Sequence, residues 1–128
     1  MIVLDASVLI AYLDADDAQH EPAEALLARE IDDEFAVNPL TLAEVLVGPA
    51  RTGRLDAASS ALRDLRIAER PFPADTAVRL ARLRVDTGLR MPDCCVLLAA
   101  QDAVARVAAF DERLIRAAGK LGIPALRA

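Results

Sequence analysis

The sequence predicts an α/β protein in which helices cover both faces of a parallel β-sheet. Short apolar segments with β-branched residues alternate along the 128-residue chain with longer segments whose apolar positions recur at helical spacing. This alternation is typical of βαβ units, whose crossovers are right-handed. The chain is 55% hydrophobic but only 3% aromatic, which suits Ala-, Leu- and Val-rich helices packed on a small sheet. We therefore expect one three-layer α/β domain over residues 1–128.

The first strand is the segment around which the other elements are arranged. Residues 2–4 are apolar and include the β-branched Ile2 and Val3, so they predict a strand that is buried on both faces. Asp5 follows directly, and residues 6–13 have a helical pattern. In an open parallel sheet, ligands bind in the crevice outside this end of the strands. Asp is also a favoured helix N-cap, so Asp5 alone supports either role.

The remaining elements are bounded by proline, glycine and acidic residues. Further strands are expected at residues 35–37, 67–70, 106–110 and 123–126. Further helices are expected at residues 21–30, 41–47, 55–65, 75–87, 93–102 and 111–118, with stops at Gly48, Gly88 and Gly119. In the helix at 75–87, the residues Val78, Ala81 and Val85 are expected to form one apolar face.

The composition excludes several kinds of site. The single histidine, His20, lies in an acidic connection and is expected to be solvated, which argues against a Ser-His-Asp hydrolase or a multi-histidine metal site. Cys94 and Cys95 are adjacent, cannot form an ordinary disulfide, and are expected to be core residues in a reducing compartment. No apolar run approaches the roughly 20 residues of a membrane span, and no signal-like segment precedes the first strand. We therefore expect a cytoplasmic protein.

Three further acids occupy positions that are comparable to that of Asp5. Asp111 follows a predicted buried strand where a helix begins, and Asp93 follows a proline in the first turn of a buried helix. Glu44 lies inside an apolar helical segment, where a fully buried carboxylate would need a compensating charge. Each also has a structural interpretation. The two aspartates can be N-caps, and the glutamate can be a polar edge on a half-exposed helix.

Considered together, the four acids predict a metal site. Their positions at or near strand ends and helix N-termini can bring them to one crevice of the sheet. Clustered carboxylates repel one another and are costly without cations, and oxygen-only ligands select Mg²⁺ or Mn²⁺. Carboxylate-held ions, in pairs about 3.5–4 Å apart, are typical of phosphodiester hydrolysis.

Four segments carry this pattern: VLDAS at 3–7, LAEV at 42–45 shortly before a glycine, MPD at 91–93 and AFDERL at 109–114. In this order and spacing the chain resembles the PIN-domain ribonucleases, and more narrowly the VapC toxins of bacterial VapBC toxin–antitoxin pairs. The resemblance covers essentially the whole chain. It implies a PIN fold with a central parallel sheet, Mg²⁺- or Mn²⁺-dependent RNA endonuclease activity, homodimerisation with larger toxin–antitoxin assemblies, and inhibition by a cognate VapB antitoxin.

The resemblance also assigns roles to individual residues. Carried over position by position, the acidic quartet is Asp5, Glu44, Asp93 and Asp111, and Ser7 is the accompanying hydroxyl. We expect Asp5 and Asp93 to be direct metal ligands and Asp111 to be a weaker or water-mediated one. We expect Glu44 to hold a second metal or to orient the attacking water.

One position departs from the family pattern. The family often has Thr or Ser two residues before the last acid, and this chain has Ala109. The departure removes a possible hydroxyl ligand near Asp111 and leaves the role of that acid open.

The formal net charge of −5 is unevenly distributed. Residues 1–50 contain eleven acids and one base, whereas residues 51–90 contain nine arginines and five acids. An arginine-rich middle on an acidic chain allows a local phosphate-binding face, although solvated helix faces would explain it equally well. Arg51, Arg54 and Arg90 are the expected RNA contacts, because the first two follow Glu44 closely and the third precedes Asp93.

Two other interpretations stay open. A receiver or haloacid-phosphatase domain also places aspartates at strand ends. However, the phosphatase needs a second Asp where Ser7 stands, and the receiver needs a lysine after a late strand, whereas the only lysine is Lys120. All five glycines are isolated, so no nucleotide-binding loop is present. A catalytically inactive binding module is the other alternative, and retention of all four acids speaks against it.

Overall fold

Five short parallel strands form the central sheet of the computed structural model, which describes residues 1–128. The strands are β1 (Ile2–Leu4), β2 (Phe35–Val37), β3 (Ala68–Glu69), β4 (Arg106–Ala109) and β5 (Ala125–Arg127). The helices are α1 (Ala6–Leu13), α2 (His20–Arg29), α3 (Pro39–Arg51), α4 (Leu55–Asp64), α5 (Thr76–Thr87), α6 (Met91–Ala103) and α7 (Glu112–Lys120). The strand order is β3-β2-β1-β4-β5, with every neighbouring pair parallel.

β1 is the central strand, as its sequence predicts. Ile2, Val3 and Leu4 are completely buried. β1 pairs with β2 on one side and with β4 on the other, where Leu4 lies opposite Ala108. The chain leaves β1 towards β2 and β3 and later crosses to β4 and β5 on the other side. The strand order therefore reverses between β1 and β4, and this reversal is where open parallel sheets bind their ligands.

Two apolar clusters pack on opposite faces of the sheet and make the fold three-layered. Val3 and Val107 point into a cluster that is built mainly by α6 and α7. Ile2, Leu4 and Phe35 point into the other cluster, which α1, α2, α3 and α4 cover. The predicted three-layer α/β class is confirmed. None of the helices is both long and apolar enough to cross a bilayer.

The helix at 41–47 is longer than predicted. α3 begins at Pro39, is capped by the side chain of Asn38, and continues through Gly48 and Pro49 to Arg51. Pro49 has no N–H and therefore costs the helix one hydrogen bond. The cost is confined to the last turn, where the Thr52 backbone N–H donates to the carbonyl of Gly48 at 3.2 Å.

The predicted stop at Gly119 is also wrong. α7 continues to Lys120, and the chain turns at Gly122, whose φ of 75° is left-handed. The N–H of Ile123 then donates to the carbonyl of Ala118 at 2.8 Å, as in a Schellman cap. Because this cap uses residues 121–123, β5 begins at Ala125 and not at Ile123.

Two side-chain expectations need correction. Val78 and Val85 on α5 are 58% and 83% exposed, and Leu83 is the buried residue of this helix. His20 is half-buried and not solvated. Its Nδ1 lies 2.8 Å from the carbonyl of Ala11, so the ring joins the start of α2 to α1.

Candidate functional site

A cleft of about 460 Å³ opens at the carboxyl ends of β1 and β4, at the point where the strand order reverses. All four predicted acids line it. Its polar lining residues are Asp5, Ser7, Glu44, Arg90, Asp93 and Asp111. These side chains come from segments that are far apart in the sequence. The sheet edge, the starts of α1, α6 and α7, and the middle of α3 bring them together.

Asp5 combines a structural role with a place in the cleft. It is the N-cap of α1, and its Oδ2 accepts hydrogen bonds from the backbone N–H of Ser7 at 3.4 Å and from the Ser7 hydroxyl at 2.5 Å. The N–H of Asp5 donates to the carbonyl of Ala108 on β4 at 3.0 Å. These bonds fix the carboxylate at the switch point and leave Oδ1 for a ligand. The capping and functional interpretations of Asp5 are therefore compatible.

Asp111 is held in the same way at the end of β4. It is the N-cap of α7, and its Oδ1 accepts from the backbone N–H of Arg113 at 2.8 Å. Ala109, the position where the family often has a hydroxyl, is completely buried in the core and does not line the cleft.

Asp93 differs from the other two aspartates because it is not an N-cap. The N-cap position of α6 is Arg90, and the Asp93 carboxylate accepts no hydrogen bond within the protein. Partial burial raises the pKa of Asp93 above its usual value, and the negative charges of Asp5, Asp111 and Glu44 raise it further, while Arg90 opposes them. The negative charges of the other three acids therefore act on Asp93 across the cleft.

Glu44 lies at the rim of the cleft. The side chain is exposed on α3 between the buried residues Thr41 and Val45, so the half-exposed-helix interpretation describes its surroundings correctly. The apolar neighbours in the sequence, Leu42 and Leu46, pack against the core instead. Exposure leaves the carboxylate hydrated and available at the entrance of the cleft.

The donor set of the cleft suits a hard divalent cation, because every candidate ligand is a carboxylate or hydroxyl oxygen. No three Asp, Glu, His or Cys side chains are already gathered closely enough to form a metal-binding group. The carboxylates therefore stand further apart than the ligands of a closed metal site.

The three arginines that were predicted to contact RNA lie in different places. Arg90 lines the cleft beside the acids. Arg54 lines a neighbouring groove, where its Nε lies 3.4 Å from the Thr52 hydroxyl. Arg51 is exposed at the end of α3 and lines neither cavity.

The neighbouring groove was not anticipated from the sequence. It has a volume of about 510 Å³ and lies between α1, α3 and α4, with Glu44 in its lining as well. Its apolar lining includes Ile10, Leu13, Val47 and Ala61. Ile10 and Val47 are 42% and 45% exposed. α1 and α3 each carry more apolar residues than one buried helix face requires. This excess is the signal in the sequence that could have indicated the groove.

Comparison with known proteins places the chain among proteins of one family. The family model described as PIN domain matches residues 2–120. A toxin–antitoxin complex from Klebsiella pneumoniae superposes with a TM-score of 0.78 at 21% identity, covering 90% of each chain. The VapC20 toxin of Mycobacterium tuberculosis, described as cleaving the sarcin-ricin loop, gives a TM-score of 0.77 at 19% identity, covering 91% of this chain and 95% of that one.

VapBC2 from Rickettsia felis, bound to a DNA fragment from its promoter, gives a TM-score of 0.72 at 16% identity over 99% and 98% of the two chains. At these identities the similarity to solved structures establishes the fold. No curated protein is similar enough in sequence to count as a match.

Proposed function

Because the chain belongs to the PIN domain family, we propose that it is a metal-dependent endoribonuclease that acts as the toxin of a type II toxin–antitoxin pair in the cytoplasm. The observation that carries the proposal is the set of four carboxylates around one cleft at the switch point of the sheet. The raised pKa of Asp93 supports it, since carboxyl groups with perturbed pKa values cluster at functional sites. Structural neighbours that are toxins or toxin–antitoxin complexes support the biological role.

The residues present fit Mg²⁺ or Mn²⁺ as the cofactor. Asp5 and Asp93 would hold the ion directly, with Asp111 as a weaker or water-mediated ligand. When bound, such a cation activates water and stabilises charge on a phosphodiester. It would also offset the repulsion among the carboxylates.

Other residues of the cleft have roles that do not depend on the ion. The Ser7 hydroxyl holds Oδ2 of Asp5 and so fixes the direction of its free oxygen. Glu44, exposed at the entrance, is suited to take a proton from the attacking water. Arg90 supplies the positive charge that attracts a phosphate into an otherwise acidic cleft. Arg51 and Arg54 would contact the RNA further along the path past α3.

We also propose that a VapB-type antitoxin inhibits the enzyme by occupying the apolar groove between α1, α3 and α4. The groove adjoins the cleft and shares Glu44 with it. A peptide with apolar side chains could fill the groove and present an arginine to the acids. The toxin itself would be a homodimer within a larger toxin–antitoxin assembly.

The test is RNA cleavage by the purified protein, with and without Mg²⁺ or Mn²⁺, followed by sequencing of the new 5′ ends. We expect cleavage by the wild type and none by Asp93→Asn. The matched control is Asp64→Asn, which removes an exposed acid from α4 and should cleave normally. Equal cleavage by wild type and Asp93→Asn would refute the proposed site. Absence of cleavage by a folded wild type, with antitoxin binding retained, would favour the inactive binding module.

Metal binding is measured separately by thermal unfolding. At an ion concentration one hundred times Kd, binding to the native state adds about 2.7 kcal/mol. For 128 residues the unfolding entropy is about 0.27 kcal/mol/K, so Tm should rise by about 10 °C. Asp5→Ala should lose this rise, and Asp64→Asn should keep it. An unchanged Tm in saturating Mg²⁺ and Mn²⁺ would contradict the proposal.

A further inference from the structure

A second polar cavity lies outside the cleft, between the C-terminal end of α5 and the outer face of α7. It has a volume of about 210 Å³, and we call it the basic notch because of the cations that line it. Three cations, Arg113, Arg116 and Lys120, line it, and all come from α7. Their spacing of three and four residues places them along one side of the helix. Asp86 is the single carboxylate in the lining, so the charged lining residues sum to +2.

None of the three cations forms an ion pair within the protein, in contrast to several other arginines. Arg70 and Arg79 lie beside Asp102, and Arg106 lies beside Glu30 and Asp33. The acid at the start of α7, Glu112, is bound by Arg127 through two hydrogen bonds of 2.8 and 3.0 Å. Arg116 attracts the same carboxylate only at longer range. The notch therefore presents unsatisfied positive charge on a chain whose net charge is −5.

Both walls of the notch continue into the walls of the cleft. α7 begins next to Asp111, and Arg113 is the residue whose backbone N–H holds the Asp111 carboxylate. On the other wall, Leu89 lines the notch and the next residue, Arg90, lines the cleft. At 1.5 Å per residue, Lys120 lies about 14 Å along the helix from Asp111. A chain that leaves the cleft along α7 would pass the three cations in turn.

The connection between the two cavities is also held in place. Arg84 donates from Nη1 to the carbonyls of Gly88 and Leu89 at 2.8 Å each, and the N–H of Leu89 donates to the Thr87 hydroxyl at 3.2 Å. These bonds fix the segment between α5 and α6, so the notch and the cleft keep one relative position.

We propose that the basic notch binds backbone phosphates of the RNA substrate, outside the scissile bond, and so sets the direction in which the strand leaves the cleft. This inference rests on the proposed function for the identity of the ligand. The ligand that we infer is a phosphodiester backbone. Such an extended polyanion can contact the notch and the Arg90 side of the cleft at the same time. Arg116 and Lys120 are positioning residues in this assignment, since they lie away from the four acids.

The experiment measures binding of a short, end-labelled single-stranded RNA in EDTA across a salt series, so that neither metal nor cleavage is needed. Arg116→Ala and Lys120→Ala should each flatten the log–log salt slope by about 0.7, which corresponds to a roughly fivefold weaker affinity at 0.1 M salt. Asp86→Asn should tighten binding, because it removes the only negative charge of the notch. Arg63→Ala is the matched control. It removes an exposed, unpaired arginine from α4 on the opposite layer and should change neither affinity nor slope.

Several outcomes would overturn the inference. One is an unchanged slope in both notch variants, and another is an equal loss in Arg63→Ala, which would indicate unspecific charge attraction. Loss of binding to an acidic antitoxin, with RNA binding retained, would assign the notch to the protein partner instead. Inorganic phosphate at equal ionic strength should compete no better than chloride. If it displaces the RNA, the notch is a site for the free anion.

The result is separable from the test of the nuclease. If cleavage depends on Asp93 but KM is unchanged in the notch variants, the proposed role of the notch is refuted and the proposed nuclease activity stands. If the notch variants bind RNA more weakly but the wild type does not cleave it, the proposed role of the notch is supported and the proposed nuclease activity is refuted.

Discussion

Val104 carries a conformational cost that a single substitution should remove. The residue ends α6 in the left-handed region, with φ and ψ both at 51°. The N–H of Ala105 donates to the carbonyl of Ala100 at 2.9 Å, so Val104 occupies the position of a Schellman cap that glycine usually fills. For a side chain with a Cβ atom this conformation costs about 1–2 kcal/mol. The Val104 side chain is 94% exposed, so little packing offsets the cost.

We therefore expect Val104→Gly to stabilise the protein. Glycine loses about 0.5–1 kcal/mol of its own backbone entropy on folding, which leaves a net gain of about 0.5–1 kcal/mol. With an unfolding entropy of about 0.27 kcal/mol/K for this length, Tm should rise by about 2–4 °C. The assay is thermal unfolding followed by circular dichroism. Val85→Gly, at an exposed valine inside α5, should instead lower Tm, because glycine weakens a helix interior. A lower or unchanged Tm in Val104→Gly would refute the reasoning.

Three further predictions concern charge and catalysis. The N-terminal ammonium, and then the Arg106 guanidinium, hold the pKa of Asp33 well below its usual range. The stability that Asp33 contributes is therefore present above its unfolded pKa of about 3.9 and is lost as pH falls through the lower folded pKa. In urea titrations, Asp33→Asn should be less stable than the wild type at neutral pH, and the difference should shrink in acid. If it stays constant with pH, the ion pairs are not its source. Burial raises the pKa of the Cys94 and Cys95 thiols, so both should react slowly with a thiol reagent until denaturant is added. Fast labelling of the native protein would contradict their burial. Glu44→Gln should reduce turnover more than metal affinity, whereas Asp5→Asn should remove tight metal binding in calorimetry. The reverse pattern would invert the proposed roles.

The sequence was sufficient to predict the sheet and the location of the four acids at its edge, because both depend on local patterns. A short apolar run with β-branched residues, such as Ile2 to Leu4, favours a buried strand, and the carboxylate that follows such a strand lies at the edge of the sheet. Parallel pairing then brings Asp5 and Asp111 to neighbouring strand ends without further information. Both helix ends that were predicted too early have glycine inside the last turn. Composition alone does not distinguish a glycine that continues a helix from one that ends it.

Features that depend on packing between distant elements could not be predicted. Val78 and Val85 have helical spacing, but α5 turns Leu83 and not these valines towards the core. The apolar groove requires the relative positions of three helices, and the basic notch requires the end of α5 to lie against α7. Arg113, Arg116 and Lys120 lie three and four residues apart in the sequence, but their lack of acidic partners is a property of the folded chain.

The pairing of β1 with β4 has a consequence for how the protein is made. Val3 pairs with Val107, so the ribosome must add 104 residues after Val3 before its partner exists. At a synthesis rate of about 5–20 residues per second, this takes about 5–20 s. During that interval Asp5 has neither the Ala108 carbonyl nor the Asp111 carboxylate beside it. The four-acid cleft would therefore be incomplete on the nascent chain while the ribosome still holds it, and would form only as synthesis ends.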